Sequence, residues 1–148
     1  DLLSFIVEAN ENYAVHLKKD IAFTLICPDD FKTKEHIALL AILNNLMANA
    51  VEAISTRGFI TLSVSIQQNK TTFIIEDNGV GIEPALLPII FDVGYTSKFN
   101  NLGQASTGIG LSHTKSIIDN LQGTITVSSD TTTCFVVHIP TRNLRKEL

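Results

Sequence analysis

The sequence is poor in the residues that staple a chain or ligate a metal. Its 148 residues include no tryptophan, one methionine, two cysteines and four prolines. Cys27 and Cys134 stand far apart, so no C-x-x-C pair marks a zinc or redox motif. Both are expected to be buried cytosolic thiols, the common state of free cysteine. His16, His36, His113 and His138 are scattered without ligand spacing and receive no metal role. Positive charge is also scarce. Eleven Lys and Arg stand against 15 Asp and Glu, for a net charge of −4. That excludes a dedicated nucleic-acid binder, which would carry a basic face. No apolar run reaches the roughly 18 residues that span a bilayer, and no signal peptide is read. No direct membrane contact is therefore expected. Repeats, low-complexity tracts and interdomain linkers are absent too.

What is present is a sequence that is 45% hydrophobic and 18% charged, outside the range of disordered chains. Its length suits one domain over residues 1–148. A domain of this size buries roughly 70% of the surface its unfolded chain exposes and needs no covalent staples. The chain opens on Asp1 rather than Met, and is expected to be a fragment of a longer protein.

Apolar residues at helical spacing predict helices over residues 2–17 and 35–55, and a third over 109–121 that stops at Gly123. Alternation predicts strands over 21–26, 59–66, 71–75, 124–128 and 134–139, the last ended by Pro140. Between 77 and 107 the pattern is irregular and glycine-bearing, apart from a short apolar piece at 85–91. A long irregular stretch inside a compact domain is usually functional. The order of elements predicts a two-layer α/β sandwich, with helices on one face of a mixed, mostly antiparallel sheet.

Three places hold residues suited to chemistry. On the second helix, at about 100° per residue, Asn49 and Glu52 fall within about 40° of Asn45, flanked by Ala38 and Ala41. The small neighbours permit close approach, and an amide offers a carbonyl oxygen to a hard cation and an NH₂ to phosphate. A solvated face is the competing reading. The second place is Asp77-Asn78-Gly79-Val80-Gly81, directly after a strand. A carboxylate there can accept a hydrogen bond from an exocyclic amine such as that of adenine, while the glycines admit a flat ring. An Asn-Gly hairpin turn competes, but residues 82–85 do not supply the alternating strand it requires. Third is Thr107-Gly108-Ile109-Gly110-Leu111 at a helix start, where free N–H groups and the helix dipole favour an anion. In the loop before it, Lys98 is either a phosphate partner or a solvated lysine. Neither a Walker A motif nor a dinucleotide fingerprint fits, because Ile109-Gly110 replaces Lys-[ST], and Pro84 and His113 stand where the fingerprint needs glycine.

In this order the elements resemble the catalytic, ATP-binding domain of sensor histidine kinases, in the superfamily shared with DNA gyrase, mismatch-repair ATPases and the heat-shock chaperone. Asn45-Leu46-Met47-Ala48-Asn49-Ala50-Val51-Glu52-Ala53 resembles the N box, and Asp77-Asn78-Gly79-Val80-Gly81-Ile82 the G1 box. Phe91-Asp92-Val93-Gly94-Tyr95-Thr96-Ser97-Lys98 resembles the F box and the start of the ATP lid. Thr107-Gly108-Ile109-Gly110-Leu111 resembles the G2 box, and Thr133-Cys134-Phe135 the closing strand.

The resemblance implies a Bergerat-type ATP-binding fold with ATP and Mg²⁺ as ligands. By it, Asp77 accepts the adenine amine, Gly79 and Gly81 line the base site, and Asn49 is the magnesium ligand. Asn45 contacts phosphate or the hydrated metal. Thr107, Gly108, Gly110 and Leu111 cradle phosphates, Lys98 reaches them from the lid, and Thr133 supports Asp77. Glu52 stands where many relatives carry a basic residue and receives no phosphate role. Relatives that hydrolyse ATP carry a glutamate base at the position of Asn45, and an amide cannot take that proton. Transfer to a histidine on a separate dimerisation domain is therefore expected, with a response regulator downstream, in a cytoplasmic domain of a membrane-anchored parent. A stand-alone ATPase or serine kinase, and a degenerate interaction module, are the alternatives.

Overall fold

The computed structural model describes residues 1–92 and 110–145. Helix α1 (Leu2–His16) precedes strand β1 (Asp20–Ile26) and the long helix α2 (His36–Ala53). Strands β2 (Arg57–Gln67) and β3 (Lys70–Asp77) follow, then a 3₁₀ turn at Leu87–Ile89. Helix α3 (Gly110–Asn120), strands β4 (Thr124–Ser129) and β5 (Thr133–Pro140), and the short helix α4 (Thr141–Arg145) complete the described chain. Every element expected from the sequence is found, with ends shifted by one or two residues.

The five strands form one open sheet in the order β1-β2-β3-β5-β4. Only β1 and β2 run parallel, joined through α2, as a parallel pair needs a crossover. The β2–β3 hairpin turns on Gln68 and Asn69, both with positive φ, the two-residue turn that matches strand twist. Period-two alternation places Leu62, Ile75 and Phe135 in register on one face, beside Phe73 and Val137. These residues are buried under the helices. The outer face carries Thr61, Ser63, Thr72, Glu76 and His138, and its residues are half-exposed.

Helix α2 supplies the largest share of the core. Leu39, Ile42, Leu43, Leu46, Met47, Ala50 and Val51 are all buried, at the spacing of one apolar stripe. Its C-terminal carbonyls are partly satisfied by Lys19, whose Nζ donates to Val51 O at 2.9 Å. By length and composition, α2 is apolar enough to cross a membrane. Asn44, Asn45, Asn49 and Glu52 nevertheless interrupt it, so its apolar run is not continuous. Here the stripe is the core of the sandwich. The cysteine expectation needs correction. Cys27 and Cys134 are half-buried, not buried: Cys27 packs against the core just past the edge strand β1, and Cys134 lies on the outer face of β5 opposite Glu76. Just past α3, Gln122 takes the left-handed conformation (φ 61°) before Gly123.

Candidate functional site

Asp77 breaks the inward pattern of β3. Thr71, Phe73 and Ile75 face the helix layer, and Asp77 is the next residue on that face, only 3% exposed. It pairs with Ile60 of β2 and Thr133 of β5, at the point where the central strand ends. A buried carboxylate is costly unless it is hydrogen-bonded. The Gly79 N–H donates to its Oδ1 at 2.8 Å. The loop that follows is then pinned on three sides. Asn78 Oδ1 accepts from the Phe59 N–H at 2.8 Å, the Val80 N–H donates to Ala53 O at 2.9 Å, and the Ile82 N–H donates to Ser129 Oγ at 2.9 Å. Ser129 and Thr133 share a hydrogen bond of 2.8 Å.

The two loop glycines serve different needs. At Gly79 a Cβ would lie 2.5 Å from Ala53 O, so the position permits the loop to pack on the end of α2. Gly81 has a φ of +80°, and a Cβ there would point at Ser129 Oγ, 3.0 Å away.

These elements enclose a cavity of about 420 Å³, within the size range of small-molecule sites. Asn49, Glu52 and Ala53 of α2 form one wall, and Val80, Gly81 and Glu83 another. Ile82, Leu86, Ile90, Leu111 and Phe135 supply an apolar lining, while Asp77 and Thr133 contribute the polar groups at the strand ends. Its described lining is acidic, with Asp77, Glu52 and Glu83 and no lysine or arginine. A larger, more open cleft of about 710 Å³ lies at Asp30–Lys34 and Arg145, and it contains none of the predicted residues.

The structure thus brings Asn49, Asp77, Gly81, Leu111 and Thr133 to one cavity, with Gly79 holding Asp77. Asn45 is placed differently. Its Nδ2 donates to Gly110 O at 2.8 Å and to Thr114 Oγ1 at 2.6 Å, so the amide docks the first turn of α3 on α2. Gly110 enters through that bond rather than as part of the lining. Lys98, Thr107 and Gly108 lie outside the described residues. Sequence reasoning missed the apolar lining, although Ile82, Leu86 and Ile90 recur every four residues in and beside the apolar piece at 85–91. It also missed Tyr13, whose hydroxyl donates to Glu52 Oε2 at 2.7 Å from α1. Burial and the Glu52 carboxylate push the Tyr13 pKa up to about 12.

An open mixed sheet, helices on its inner face and a cavity between the long helix and a glycine-bearing loop define an α/β sandwich built to hold a small ligand. The sequence profile of the histidine kinase-, DNA gyrase B- and HSP90-like ATPases matches residues 34–143, and the chain belongs to that family. Sensor histidine kinase GlnK of Bacillus subtilis (strain 168) is 38% identical over 146 residues, covering 97% of this chain and 36% of that protein. Sensor histidine kinase DcuS of Escherichia coli (strain K12) is 31% identical over 131 residues, covering 82% of this chain and 23% of that protein. The chain spans about a third or less of these relatives. A nucleotide-free catalytic domain of histidine kinase ThkA superposes with a TM-score of 0.76 at 25% identity, covering 95% of this chain and 90% of that one. Fold and relatives agree on the catalytic domain of a two-component sensor kinase.

Proposed function

We propose that residues 1–148 are a single ATP-binding catalytic domain of a longer, membrane-anchored sensor kinase. It binds Mg-ATP in the Asp77 cavity and donates the γ-phosphate to a histidine on a separate dimerisation domain, and a response regulator acts downstream. The observation that carries this reading is the buried Asp77 carboxylate at the end of β3. It is an acceptor set in an apolar cavity with a left-handed glycine beside it, which suits a flat ring bearing an exocyclic amine.

Each residue then has a role. Asp77 accepts the adenine amine, and Gly79 fixes its orientation. Gly81 leaves room for the base. Thr133, through Ser129, holds the loop against the strand ends. Leu111 and Gly110 set the start of α3, where Thr107 and Gly108 precede it in the chain and Lys98 lies further upstream. Asn45 acts from behind, by holding α3 in place.

The residues present also fit magnesium. Among the described residues no group of three or more His, Cys, Asp or Glu could cage a metal. Magnesium in nucleotide sites keeps several waters and takes few protein ligands beside the phosphates, so the Asn49 amide oxygen suffices. When bound, it neutralises charge on the phosphates. The chain's own contribution is positioning, with no carboxylate at Asn45 to activate water.

The test is to supply saturating Mg-ATP to the domain, alone and with a separately made histidine-bearing dimerisation domain. Phosphohistidine on the added domain, with almost no ADP release by the catalytic domain alone, is the expected result. Steady ADP release that survives Asn45→Ala would overturn the kinase reading.

A further inference from the structure

Ser129 ends β4 where the loop after β3 meets the start of β5. Its oxygen is engaged from two sides. The Ile82 N–H donates to Oγ at 2.9 Å, and Thr133 Oγ1 lies 2.8 Å away. Gly81 passes so close that a Cβ there would come within 3.0 Å of the same oxygen. Thr133 in turn lines the cavity, is only 5% exposed, and pairs in register with Asp77 across the β3–β5 ladder. Directly opposed residues of an antiparallel pair share a face, so the Thr133 hydroxyl and the Asp77 carboxylate meet the cavity side by side.

A hydroxyl carries one proton and two lone pairs. The Ser129–Thr133 bond therefore has two arrangements, and they present opposite groups to a ligand. If Thr133 donates, only its lone pairs face the cavity, next to a carboxylate that also accepts. Ser129 Oγ would then receive two donors, and its own proton would need a further acceptor. If Ser129 donates, each oxygen receives a donor, and the Thr133 proton turns toward the cavity. Hydroxyl dipoles orient in the local field, and a neighbouring carboxylate favours the proton over the lone pairs. We infer, resting on the nucleotide reading above, that Ser129 is a positioning residue for base specificity. By giving its proton to Thr133, it keeps the Thr133 hydroxyl as a donor to the ligand's ring. Asp77 and Thr133 then offer an acceptor and a donor in a fixed order. That pair complements a ring with an exocyclic amine next to an unprotonated nitrogen. It opposes a 6-oxo purine, whose oxygen and N1–H are the reverse.

The experiment is calorimetric titration of the whole chain with ADP and with 1-deaza-ADP, which keeps the amine and has C–H in place of the ring nitrogen. Wild type should favour ADP by roughly 10-fold, the scale of one hydrogen bond. Ser129→Ala also removes the acceptor for the Ile82 N–H, which weakens both nucleotides alike, so the ratio between them isolates the Thr133 proton. That ratio should fall to about 2- to 3-fold in Ser129→Ala and to about 1 in Thr133→Val. Ser129→Thr, which restores a hydroxyl, should return it to the wild-type value. A wild-type ratio kept in Ser129→Ala, with both affinities lowered, would overturn the inference and leave Ser129 a clasp for the loop. Should Ser129→Ala fail to fold, an unchanged ratio in Thr133→Val overturns it instead. Wild type that binds the two nucleotides equally would overturn it too, with the nucleotide reading standing. Wild type that binds neither would overturn both.

Discussion

Replacing Asp77 by asparagine tests the site at its centre. The substitution is isosteric, and the Asn carbonyl can take over the bond from the Gly79 N–H, 2.8 Å from Oδ1 in the wild type. What changes is the atom presented to the cavity. An NH₂ replaces an acceptor, so an adenine amine would meet a second donor. One hydrogen bond to a charged group is lost and two donors are left facing each other, in a site where Asp77 is only 3% exposed. An unsatisfied buried donor costs about 1–3 kcal/mol, which corresponds to an affinity loss of about 5- to 150-fold. Folding stability should hold, since the variant no longer buries a charge.

The assay is calorimetric titration with ADP and with IDP, whose 6-oxo group is an acceptor. Asp77→Asn should lose ADP affinity by that factor and narrow or invert the preference over IDP, because the new NH₂ matches the oxygen. Equal ADP affinities in wild type and variant would refute the assignment of Asp77 to the base. So would a parallel loss of both nucleotides accompanied by a lowered melting temperature, which would mark Asp77 as structural.

Two other predictions concern the frame around the cavity. Gly81→Ala forces an L side chain to a φ of +80°, with its Cβ 3.0 Å from Ser129 Oγ. It should cost about 1–2 kcal/mol in urea unfolding, and a neutral result would mean that the loop re-forms with a different backbone. The raised Tyr13 pKa gives an alkaline signature. The folded chain holds this proton more tightly than the unfolded one, so the contribution is complete below pH 10.0 and is lost as pH rises toward about 12. Stability against urea, measured across that window, should fall more steeply in wild type than in Tyr13→Phe, and identical slopes would rule out the half-buried Tyr13–Glu52 bond.

What could be read from the sequence was what repeats locally. The strands declare themselves by alternation, and α2 by an apolar stripe of seven buried residues. Asp77 stood out because it follows a strand directly and leads into two glycines with no return strand behind them. The 3₁₀ turn at Leu87–Ile89 and helix α4 are too short for a period to register. The unforeseen parts of the site depend on distance along the chain. Tyr13 meets Glu52 across 39 positions, and Thr132 donates to Glu76 across 56. Phe31 stacks edge-on against Phe73 at 5.9 Å from a segment that carried no strand or helix signal. No local pattern encodes such pairs. They follow from strand order and from which face of α1 turns toward α2.

Asn45 meets neighbours that its spacing on α2 does not announce. The resemblance casts it as a phosphate or metal contact that replaces a catalytic base. In the fold its NH₂ bridges 65 positions to the Gly110 carbonyl, an atom that can only accept. The same nitrogen reaches Thr114, which is 1% exposed. An acid at this position would set oxygen against oxygen at the joint between α2 and α3. The position therefore cannot serve as a base without loosening the helix that carries Leu111 into the cavity. Asn45→Asp separates the two demands. It should lower stability by about 1–3 kcal/mol through the unsatisfied carbonyl and weaken nucleotide binding through displaced α3, with no gain in ADP release. A variant that melts like wild type and turns over ATP would show that the joint is dispensable, and that an amide at this position is all that separates this kinase-like site from a hydrolase.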